Sequence, residues 1–208
     1  MKDLFATSGW EQLPIDDAEL LLWREIDLGL PVDQIAGQLV ESTPWRQQEI
    51  QIYGKTCLQP RLSAWYASEG LRYCYSGIEL SALPWTDLLL QIKARVESVA
   101  EAKFNSVLIN YYRDQNDSMG MHSDDEAELG KQPVIASLSL GGQRRFVLRH
   151  RYRKNMGSIK LELDSGSLLI MKGDTQANWK HGIPKQSKFC APRLNLTFRM
   201  IKIVKGKC

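Results

Sequence analysis

The sequence predicts a mainly β domain of the α+β class, an antiparallel sandwich or jelly roll with helices packed outside. Many short strand-like runs bounded by Gly, Pro and Asn follow Ser106. Helix patterns precede them, which is the order expected of an α+β fold rather than of alternating βαβ units. The length of 208 residues suits one hydrophobic core and is short for two.

Three segments in the first half of the chain have helix patterns. Residues 14–29, PIDDAELLLWREIDLG, begin with Pro and acidic residues, have clustered apolar positions and end in Gly. Residues 32–40 predict a second, shorter helix. The third follows Thr86, a residue type that caps helix N-termini. Its apolar positions at helical spacing are Leu88, Leu89, Ile92, Val96 and Val99.

The strand-like runs are SVLINYY, VIASLSL, RRFVLRHRY, SIKLELD, GSLLIMK and RLNLTFRMI. Each has alternating or continuous apolar residues, many of them β-branched or aromatic, as strands do. We therefore predict a single domain over residues 1–208, with a helical N-terminal region at 1–49 and a jelly-roll core at 104–202.

The composition argues against several classes of protein. The longest apolar runs are far shorter than the roughly 18 residues that a membrane span needs. The first residues lack the apolar core and cleavage site of a signal peptide, so we expect a protein that is not secreted, cytoplasmic if bacterial and nuclear if eukaryotic. Four scattered cysteines without CxxC spacing argue against a zinc ribbon or a redox dithiol.

Basic residues are unevenly distributed, although the net charge is only +3. Residues 1–50 hold ten acidic and three basic residues, whereas residues 129–161 and 175–208 each hold eight basic residues and no acidic one. One interpretation is a basic face that suits a polyanion. The other, equally weighted, is that folding interleaves the two halves and leaves no such face.

The segment SMGMHSDDEAE, residues 118–128, places a histidine before a cluster of acidic residues. A calcium loop that starts at Asp114 needs Gly at its sixth position and Glu at its twelfth. The sequence has Met119 and Asp125 there, which argues against an EF-hand. A solvated acidic loop is the ordinary interpretation of Glu126 and Glu128. That interpretation does not explain the histidine.

A metal site is the alternative for this segment. His122 and Asp124 are one residue apart, so in extended backbone both side chains project from the same face. His181 follows the strand-like run GSLLIMK. Two histidines and one carboxylate on adjacent strands form the facial triad that holds non-haem Fe(II) and leaves three coordination positions open. Because an HxD pair with a distant histidine arises often by chance, a second observation is needed.

The run RLNLTFR supplies that observation. Alternation places four polar residues on one face: Arg193, Asn195, Thr197 and Arg199. Two arginines on the inner face of a buried strand are costly unless anions meet them, and a dicarboxylate would supply those anions. In LINYY the same alternation places Asn110 and Tyr112 on one face. For either arginine taken alone, the alternative remains that the strand lies at a sheet edge and the arginine side chain points into solvent.

Taken together, these residues resemble the AlkB family of Fe(II)- and 2-oxoglutarate-dependent nucleic-acid dioxygenases. The resemblance covers about residues 51–199. It is carried by QPRLSAWY, YCYSG, FNSVLINYYRDQNDSMGMHSDDE, IASLSLGGQRRFVLRH, GSLLIMKGDTQANWKHGIPK and APRLNLTFR. The pattern is most similar to the vertebrate-type DNA and RNA repair members that remove methyl groups from 1-methyladenine and 3-methylcytosine.

The resemblance implies a double-stranded β-helix with a nucleotide-recognition lid at residues 50–83. The implied Fe(II) ligands are His122, Asp124 and His181. The implied cosubstrate contacts are Asn110, Tyr112, Arg193, Asn195, Thr197 and Arg199. The implied substrate contacts are Tyr53, Lys55, Arg61, Tyr73, Tyr75, Ser76 and Asp125. Ile52 and Tyr53 stand where some DNA-acting relatives have a Val-Phe wedge, so the choice between single strand and duplex stays open.

The implied reaction consumes 2-oxoglutarate and O2, releases succinate and CO2, and hydroxylates the N-methyl group, after which the hemiaminal loses formaldehyde. A methylated ring nitrogen lies on the Watson–Crick edge, so the base must leave the stack and enter a pocket. Candidate aromatic residues for that pocket are Trp65, Tyr66, Tyr73 and Tyr75. The basic tract 144–154 is a candidate for phosphate contacts. The implied partners are methylated DNA and also RNA, with the protein acting as a monomer away from membranes.

Two other functions are compatible with the same fold. One is a nucleic-acid-binding relative without turnover, which would have no need of an intact triad with both arginines. The other is an oxygenase that hydroxylates protein side chains, for which the basic tracts would be incidental.

Overall fold

The computed structural model describes residues 9–52, 55–71, 73–75, 78–80 and 82–202. Its strands are β1 (Glu11–Leu13), β2 (Glu19–Trp23), β3 (Glu49–Ile52), β4 (Lys55–Leu58), β5 (Leu62–Ala67), β6 (Tyr73–Tyr75), β7 (Ile78–Leu80), β8 (Ser106–Tyr112), β9 (Met119–His122), β10 (Ile135–Gly141), β11 (Arg144–His150), β12 (Ile159–Leu163), β13 (Leu168–Lys172), β14 (Trp179–Ile183) and β15 (Arg193–Arg199). Its helices are α1 (Val32–Ser42), α2 (Asp87–Ala100) and α3 (Thr175–Asn178), with a 3-10 turn at Ala127–Leu129. Within these ranges, no helix combines the length and the apolar character needed to cross a membrane.

Two antiparallel sheets pack against each other, which confirms the predicted jelly roll. The larger sheet has the strand order β1-β2-β13-β10-β15-β8-β5, and the smaller has β12-β11-β14-β9. The hairpins β3-β4 and β6-β7 come from the part of the chain predicted as a lid. The division into one domain with an N-terminal region, a lid and a core stays a prediction.

The larger sheet is covered on both faces. On one face, Phe198 of β15 belongs to a buried cluster with Ile35 of α1 and Ile92 of α2. On the other, Trp65 of β5 belongs to a second buried cluster with Phe146 of β11 in the smaller sheet. Polar side chains on the inner face of β15 therefore open into the space between the two sheets, where water is largely excluded.

The helix predicted for residues 14–29 is wrong, because this segment holds β2 and the turn that joins it to β1. Leu20 and Leu22 pack between the two sheets, and the residues that alternate with them pack on the helix side. A strand buried on both faces reads as a continuous apolar run, which periodicity cannot distinguish from a helix. Main-chain pairing of β2 with β13 decides for the strand. Among the described residues of the region 1–49, only α1 is helical.

The other predicted elements are present. The predicted helix at residues 32–40 is α1, and the third is α2, whose N-cap Thr86 accepts the Leu89 N–H at 3.3 Å. Each of the six predicted strand runs contains a strand, namely β8, β10, β11, β12, β13 and β15.

Glu97 in the last turn of α2 gives the fold a pH-dependent contribution to stability. Its carboxylate is buried and accepts hydrogen bonds from Phe104 N and Lys103 Nζ at 2.8 and 3.2 Å, and it pairs with Lys93 Nζ at 2.8 Å. Burial alone would raise the pKa of Glu97, but these partners outweigh it and lower the pKa below the ordinary value of 4.5. The stabilisation is therefore present above pH 4.5 and lost as the pH falls through the folded-state pKa.

We expect Glu97→Gln to lower the free energy of unfolding by about 1–3 kcal/mol at neutral pH, the usual effect of losing hydrogen bonds to a buried charged group. The difference from the parent protein should shrink as the pH falls below 4.5. Urea unfolding at several pH values measures it, with Glu69→Gln at an exposed position as the control. An equal deficit at acidic and neutral pH would contradict the role of the charge.

Candidate metal and cosubstrate site

Two of the three predicted metal ligands lie on neighbouring strands, and the third follows the end of one of them. His122 ends β9, Asp124 follows two residues later, and His181 lies in β14 directly opposite His122. Their donor atoms lie within 4.8 Å of one another. Among the described residues this is the only group of three His, Cys, Asp or Glu side chains placed so closely.

The two histidine rings are oriented by their surroundings. His122 Nδ1 lies 2.9 Å from the Gly120 carbonyl oxygen, so Nδ1–H donates there and the Nε2 lone pair is available to a metal. His122 Nε2 is 3.9 Å from Asp124 Oδ1. The His181 ring stacks on Phe146 with centroids 5.3 Å apart, and it lies 4.4 Å from the ring of His122.

Burial and neighbouring charges give these side chains the protonation states that a divalent cation needs. Burial, with a contribution from His122, lowers the pKa of His181 to about 3, and burial also lowers the pKa of His122. Burial alone would raise the pKa of Asp124, but Arg199, His181 and His122 lower it to about 2. Two neutral imidazoles and one carboxylate are therefore present at neutral pH.

The residues fit a bound Fe(II) ion. Asp124 Oδ2 and His181 Nδ1 are buried and have no hydrogen-bond partner among the described residues. An unpaired buried polar atom costs about 1–3 kcal/mol, so a ligand in this space would relieve the cost at Asp124. Two nitrogens and one carboxylate oxygen are the donor set of non-haem Fe(II) oxygenases.

The six residues predicted to contact the cosubstrate line one cavity together with the three metal-ligand candidates. The inner face of β15 contributes Arg193, Asn195, Thr197 and Arg199. The paired strand β8 contributes Asn110 and Tyr112. The apolar residues of β15 take the opposite face and pack toward the helices, as strand alternation predicted.

The two arginines of β15 have different partners. Arg199 Nη2 donates to Asp124 Oδ1 at 2.8 Å, so the anion that its burial requires is the metal-ligand candidate itself. Arg193 Nη2 donates to the Ser139 hydroxyl at 2.9 Å, whereas its Nε and Nη1 have no partner among the described residues. Burial lowers the pKa of Arg193 to about 10, so the guanidinium still carries its charge at neutral pH. Arg193 is therefore the arginine that fits a carboxylate of a dicarboxylate cosubstrate.

Arg144 is a buried neighbour of the cavity residue Tyr112. Two guanidinium groups contact the ring of Tyr112, with the Cζ atoms of Arg144 and Arg193 each 5.4 Å from the ring centroid. Arg144 is fully buried and donates to three backbone carbonyls of neighbouring loops. The predicted phosphate-contacting tract 144–154 is therefore wrong for Arg144, because interior carbonyl groups take its donors.

Arg61, predicted to contact the substrate, lies in the interior. It is 4% exposed, and its Nε donates to Asn110 Oδ1 at 2.8 Å while its Nη1 lies 3.3 Å from the Ser118 carbonyl oxygen. The structure thus places Arg61 where it orients a predicted cosubstrate residue. Its contact with the substrate stays a prediction.

The acidic residues after Asp124 separate into two environments. The exposed carboxylate of Asp125 pairs with Arg151 Nη1 at 2.7 Å, and its role toward the substrate stays a prediction. Glu126 Oε2 is buried and has no partner among the described residues, and burial together with Asp124 raises the pKa of Glu126 to about 7. The interpretation of Glu126 as solvated charge is therefore wrong, since the fold turns it toward the interior beside Asp124.

The remaining substrate predictions fall largely on the lid. Tyr53 and Ser76 lie outside the described residues, as do the side chains of Lys55, Tyr73 and Tyr75. Trp65 and Tyr66 are 3% and 4% exposed and belong to the two hydrophobic clusters, so they pack the core instead of lining a base pocket.

Sequence reasoning missed Gln176 of α3, which is 2% exposed and whose Oε1 accepts the Asp124 N–H at 2.9 Å. The two residues are 52 positions apart, and a lone glutamine has no spacing pattern that would reveal such a contact.

Comparisons with known proteins agree on one family. Residues 32–199 match the family model described as the 2OG-Fe(II) oxygenase superfamily. The chain is 44% identical over 177 residues to the mouse protein named alpha-ketoglutarate-dependent dioxygenase alkB homolog 3, a match that covers 81% of this chain and 61% of the relative. It is 42% identical over 162 residues to the human protein named DNA oxidative demethylase ALKBH2, covering 75% and 62%.

The chain thus spans about three fifths of the length of these relatives. It is also similar in fold to the solved structure titled "The structure of OsALKBH1", with a TM-score of 0.59 and 16% identity, covering 92% of this chain and 100% of that one.

Proposed function

Because this chain belongs to the AlkB family within the 2OG-Fe(II) oxygenase superfamily, we propose that it demethylates N-alkylated bases oxidatively in DNA and also in RNA. The proposed lesions are 1-methyladenine and 3-methylcytosine, so the reaction is a direct reversal of alkylation damage. Family membership brings with it Fe(II), 2-oxoglutarate and O2.

One observation carries the proposal. The group formed by His122, Asp124 and His181 shares a cavity with Arg193, which has unpaired buried donors. A metal site alone would suit many proteins, and a buried arginine alone would suit any anion. A three-ligand metal site next to an arginine that can bind the distal carboxylate of a cosubstrate suits an oxygenase that uses 2-oxoglutarate.

The residues of the cavity have distinct proposed roles. His122, Asp124 and His181 hold the metal, and Arg199 holds Asp124 in its ionised state through the 2.8 Å ion pair. Arg193 takes the distal carboxylate of 2-oxoglutarate. The remaining polar residues fix its orientation: Asn110, Tyr112, Asn195 and Thr197. Asn195 is itself held, since its Nδ2 donates to the Ser137 hydroxyl at 2.8 Å.

Bound iron and 2-oxoglutarate would supply the oxidation, in which O2 is consumed, succinate and CO2 are released, and one oxygen atom becomes a hydroxyl on the N-methyl group. The resulting N-hydroxymethyl base breaks its N–C bond and releases formaldehyde, leaving the unmodified ring nitrogen. The contribution of the protein is positioning, charge and the exclusion of water.

A basic groove on the outer face of the smaller sheet supports a nucleic-acid substrate. We define it by the cations that line it, Arg145, Arg149, Lys160 and Lys185, around an apolar floor that includes Val147. Its volume is about 390 Å³. Arg145 pairs with Glu162 at 3.0 Å, but within the described residues no carboxylate pairs with the other three cations. Unpaired cations around an apolar floor suit a chain of phosphates and bases.

Two exposed aromatic residues lie in basic stretches of the sequence. Tyr152 is 69% exposed within HRYRK, and Phe189 is 81% exposed within KQSKF, which begins at the groove residue Lys185. Exposed aromatic rings among cations are the usual means of stacking unpaired bases. The interpretation of the basic sequence tracts as a polyanion surface is therefore favoured over complete interleaving.

The direct test incubates oligonucleotides carrying 1-methyladenine or 3-methylcytosine with the protein, Fe(II), 2-oxoglutarate and ascorbate. Mass spectrometry then follows the methyl group, in matched single-stranded and duplex DNA and RNA. We expect loss of one methyl mass per lesion, with formaldehyde and succinate in equal amounts. Binding without any loss of methyl mass would favour a relative without turnover, and hydroxylation of peptides alone would favour a protein oxygenase.

We further expect Arg149→Ala combined with Lys185→Ala to weaken oligonucleotide binding and to reduce its salt dependence. Each lost phosphate contact lowers the slope of log affinity against log salt by about 0.7 on single strands and about 0.9 on duplex. Turnover of a single methylated nucleotide, which lacks the flanking phosphates, should change much less. The matched control is Arg24→Ala with Lys172→Ala; Arg24 directly follows β2, Lys172 ends β13, and neither lines the groove. An unchanged salt slope would contradict phosphate binding in the groove.

A further inference from the structure

The position of Asp124 is not explained by strand pairing. β9 ends at His122, and the pairing of β9 with β14 shifts register between the positions opposite His122 and Met119. Asp124 lies beyond the end of this irregular ladder, so the ladder does not hold its main chain. The two histidines are in paired strands, whereas the carboxylate donor is in a connecting segment.

A buried side chain, that of Gln176, accepts the main-chain hydrogen bond of Asp124 that strand pairing does not provide. The Asp124 N–H donates to Gln176 Oε1 at 2.9 Å, and the preceding Ser123 hydroxyl donates to the Trp179 carbonyl oxygen at 2.9 Å. Gln176 and Trp179 lie in α3 and at the start of β14, the strand that carries His181. The segment with the carboxylate is therefore fastened to the same part of the chain as the second histidine.

Gln176 is itself held in place. It is 2% exposed, and its Nε2 lies 3.5 Å from Met171 Sδ. Its main-chain carbonyl oxygen accepts a hydrogen bond from Arg151 Nη1 at 3.2 Å. The same Arg151 atom pairs with Asp125 Oδ2 at 2.7 Å. Gln176 thus holds two consecutive residues, Asp124 through its side chain and Asp125 through Arg151.

We propose that Gln176 is a positioning residue that sets where the Asp124 carboxylate meets the metal, and so controls metal affinity. This inference rests on the proposed metal site. Partners that orient metal ligands typically change affinity by about 10–100-fold when they are removed. Catalytic constellations tolerate displacements of only about 0.5 Å, which explains why a ligand outside the ladder needs such a fastening.

The neighbouring Thr175 provides a matched control. It is 1% exposed in the same short helix, but its hydroxyl bonds the Glu19 N–H at 2.9 Å and the Lys172 carbonyl oxygen at 2.6 Å. Thr175 therefore fastens α3 to the larger sheet and does not touch the metal-ligand candidates. A variant there disturbs the same helix without removing the contact with Asp124.

The experiment titrates Co(II) into each protein without substrate or O2 and follows the visible absorption of the bound ion, with the unfolding temperature of the metal-free protein measured alongside. We expect Gln176→Met, which has similar length but no acceptor, to weaken Co(II) binding by about 10–100-fold. Gln176→Glu, which keeps an acceptor oxygen at the same reach, should bind Co(II) close to the parent affinity. Thr175→Val should lower the unfolding temperature with parent affinity for Co(II).

Several results would overturn the inference. Parent affinity in Gln176→Met, or an equal loss of affinity in Thr175→Val, would show that Gln176 has only a structural role. If Gln176→Met does not fold, Gln176→Asn takes its place, because an amide shorter by one methylene loses the contact, and the same fall in affinity is expected. Absence of Co(II) binding by the parent protein would instead refute the proposed metal site on which the inference rests.

Discussion

Replacement of His181 with alanine is expected to abolish metal binding and demethylation together. The remaining pair, His122 and Asp124, leaves a two-ligand site, and the loss should exceed the ~10–100-fold that follows removal of an outer hydrogen-bonding partner. The side chain is 5% exposed and stacks on Phe146, so alanine also leaves a cavity that lowers the unfolding temperature. Fe(II) or Co(II) titration and the mass-spectrometric assay measure the two losses separately.

His150 is the matched control, since it is the one histidine of the chain outside the metal group. Its side chain is 3% exposed, its Nε2 lies 3.3 Å from Asp17 Oδ2, and its ring meets Trp179 edge-on at 5.0 Å. We expect His150→Ala to lose stability while keeping metal affinity and turnover. Tight metal binding by His181→Ala, or an equal loss in His150→Ala, would contradict the assignment.

Replacement of Arg193 with methionine is expected to remove 2-oxoglutarate binding without destabilising the protein. Two hydrogen bonds to a charged carboxylate contribute roughly 1.5–3 kcal/mol each, so their loss weakens 2-oxoglutarate binding by about a hundredfold or more. In the absence of 2-oxoglutarate, no carboxylate among the described residues pairs with the Arg193 guanidinium, and burying a lone charge is unfavourable. The unfolding temperature without cosubstrate should therefore stay the same or rise.

Thermal unfolding with increasing 2-oxoglutarate measures both effects, because a ligand at 100 times its Kd stabilises the folded state by about 2.7 kcal/mol. Arg193→Met should lose this ligand-dependent increase. Arg144→Met removes an equally buried arginine that donates to backbone carbonyls, so in contrast to Arg193→Met it should lower the unfolding temperature even without 2-oxoglutarate. A normal response to 2-oxoglutarate in Arg193→Met would assign the carboxylate to another residue.

Much of the fold and of the candidate site could be predicted from the sequence, because the rules involved are local. Strand alternation alone separates the polar face of β15 from its apolar face, and the structure has Leu196 toward the helices and Arg193 in the cavity. The Thr86 cap and the apolar spacing after it identify α2. The pair His122 and Asp124 needed a second histidine to complete a metal site. The chain has only two other histidines, which leaves few candidates.

Tertiary contacts decided the rest. The run from Leu20 to Trp23 is apolar on every residue, and only pairing with β13 makes it a strand. The two arginines of β15 are equivalent in the sequence, but Arg199 meets Asp124 from 75 positions away while Arg193 meets no carboxylate in the described structure. Arg144 and Gln176 likewise acquire their roles from groups distant in the chain. The sequence by itself determined which side chains share a face and which chemistry they offer, since both follow from backbone geometry and residue type. Only the tertiary structure decided which buried charges are already paired and which remain for a ligand, because pairing depends on distance in space.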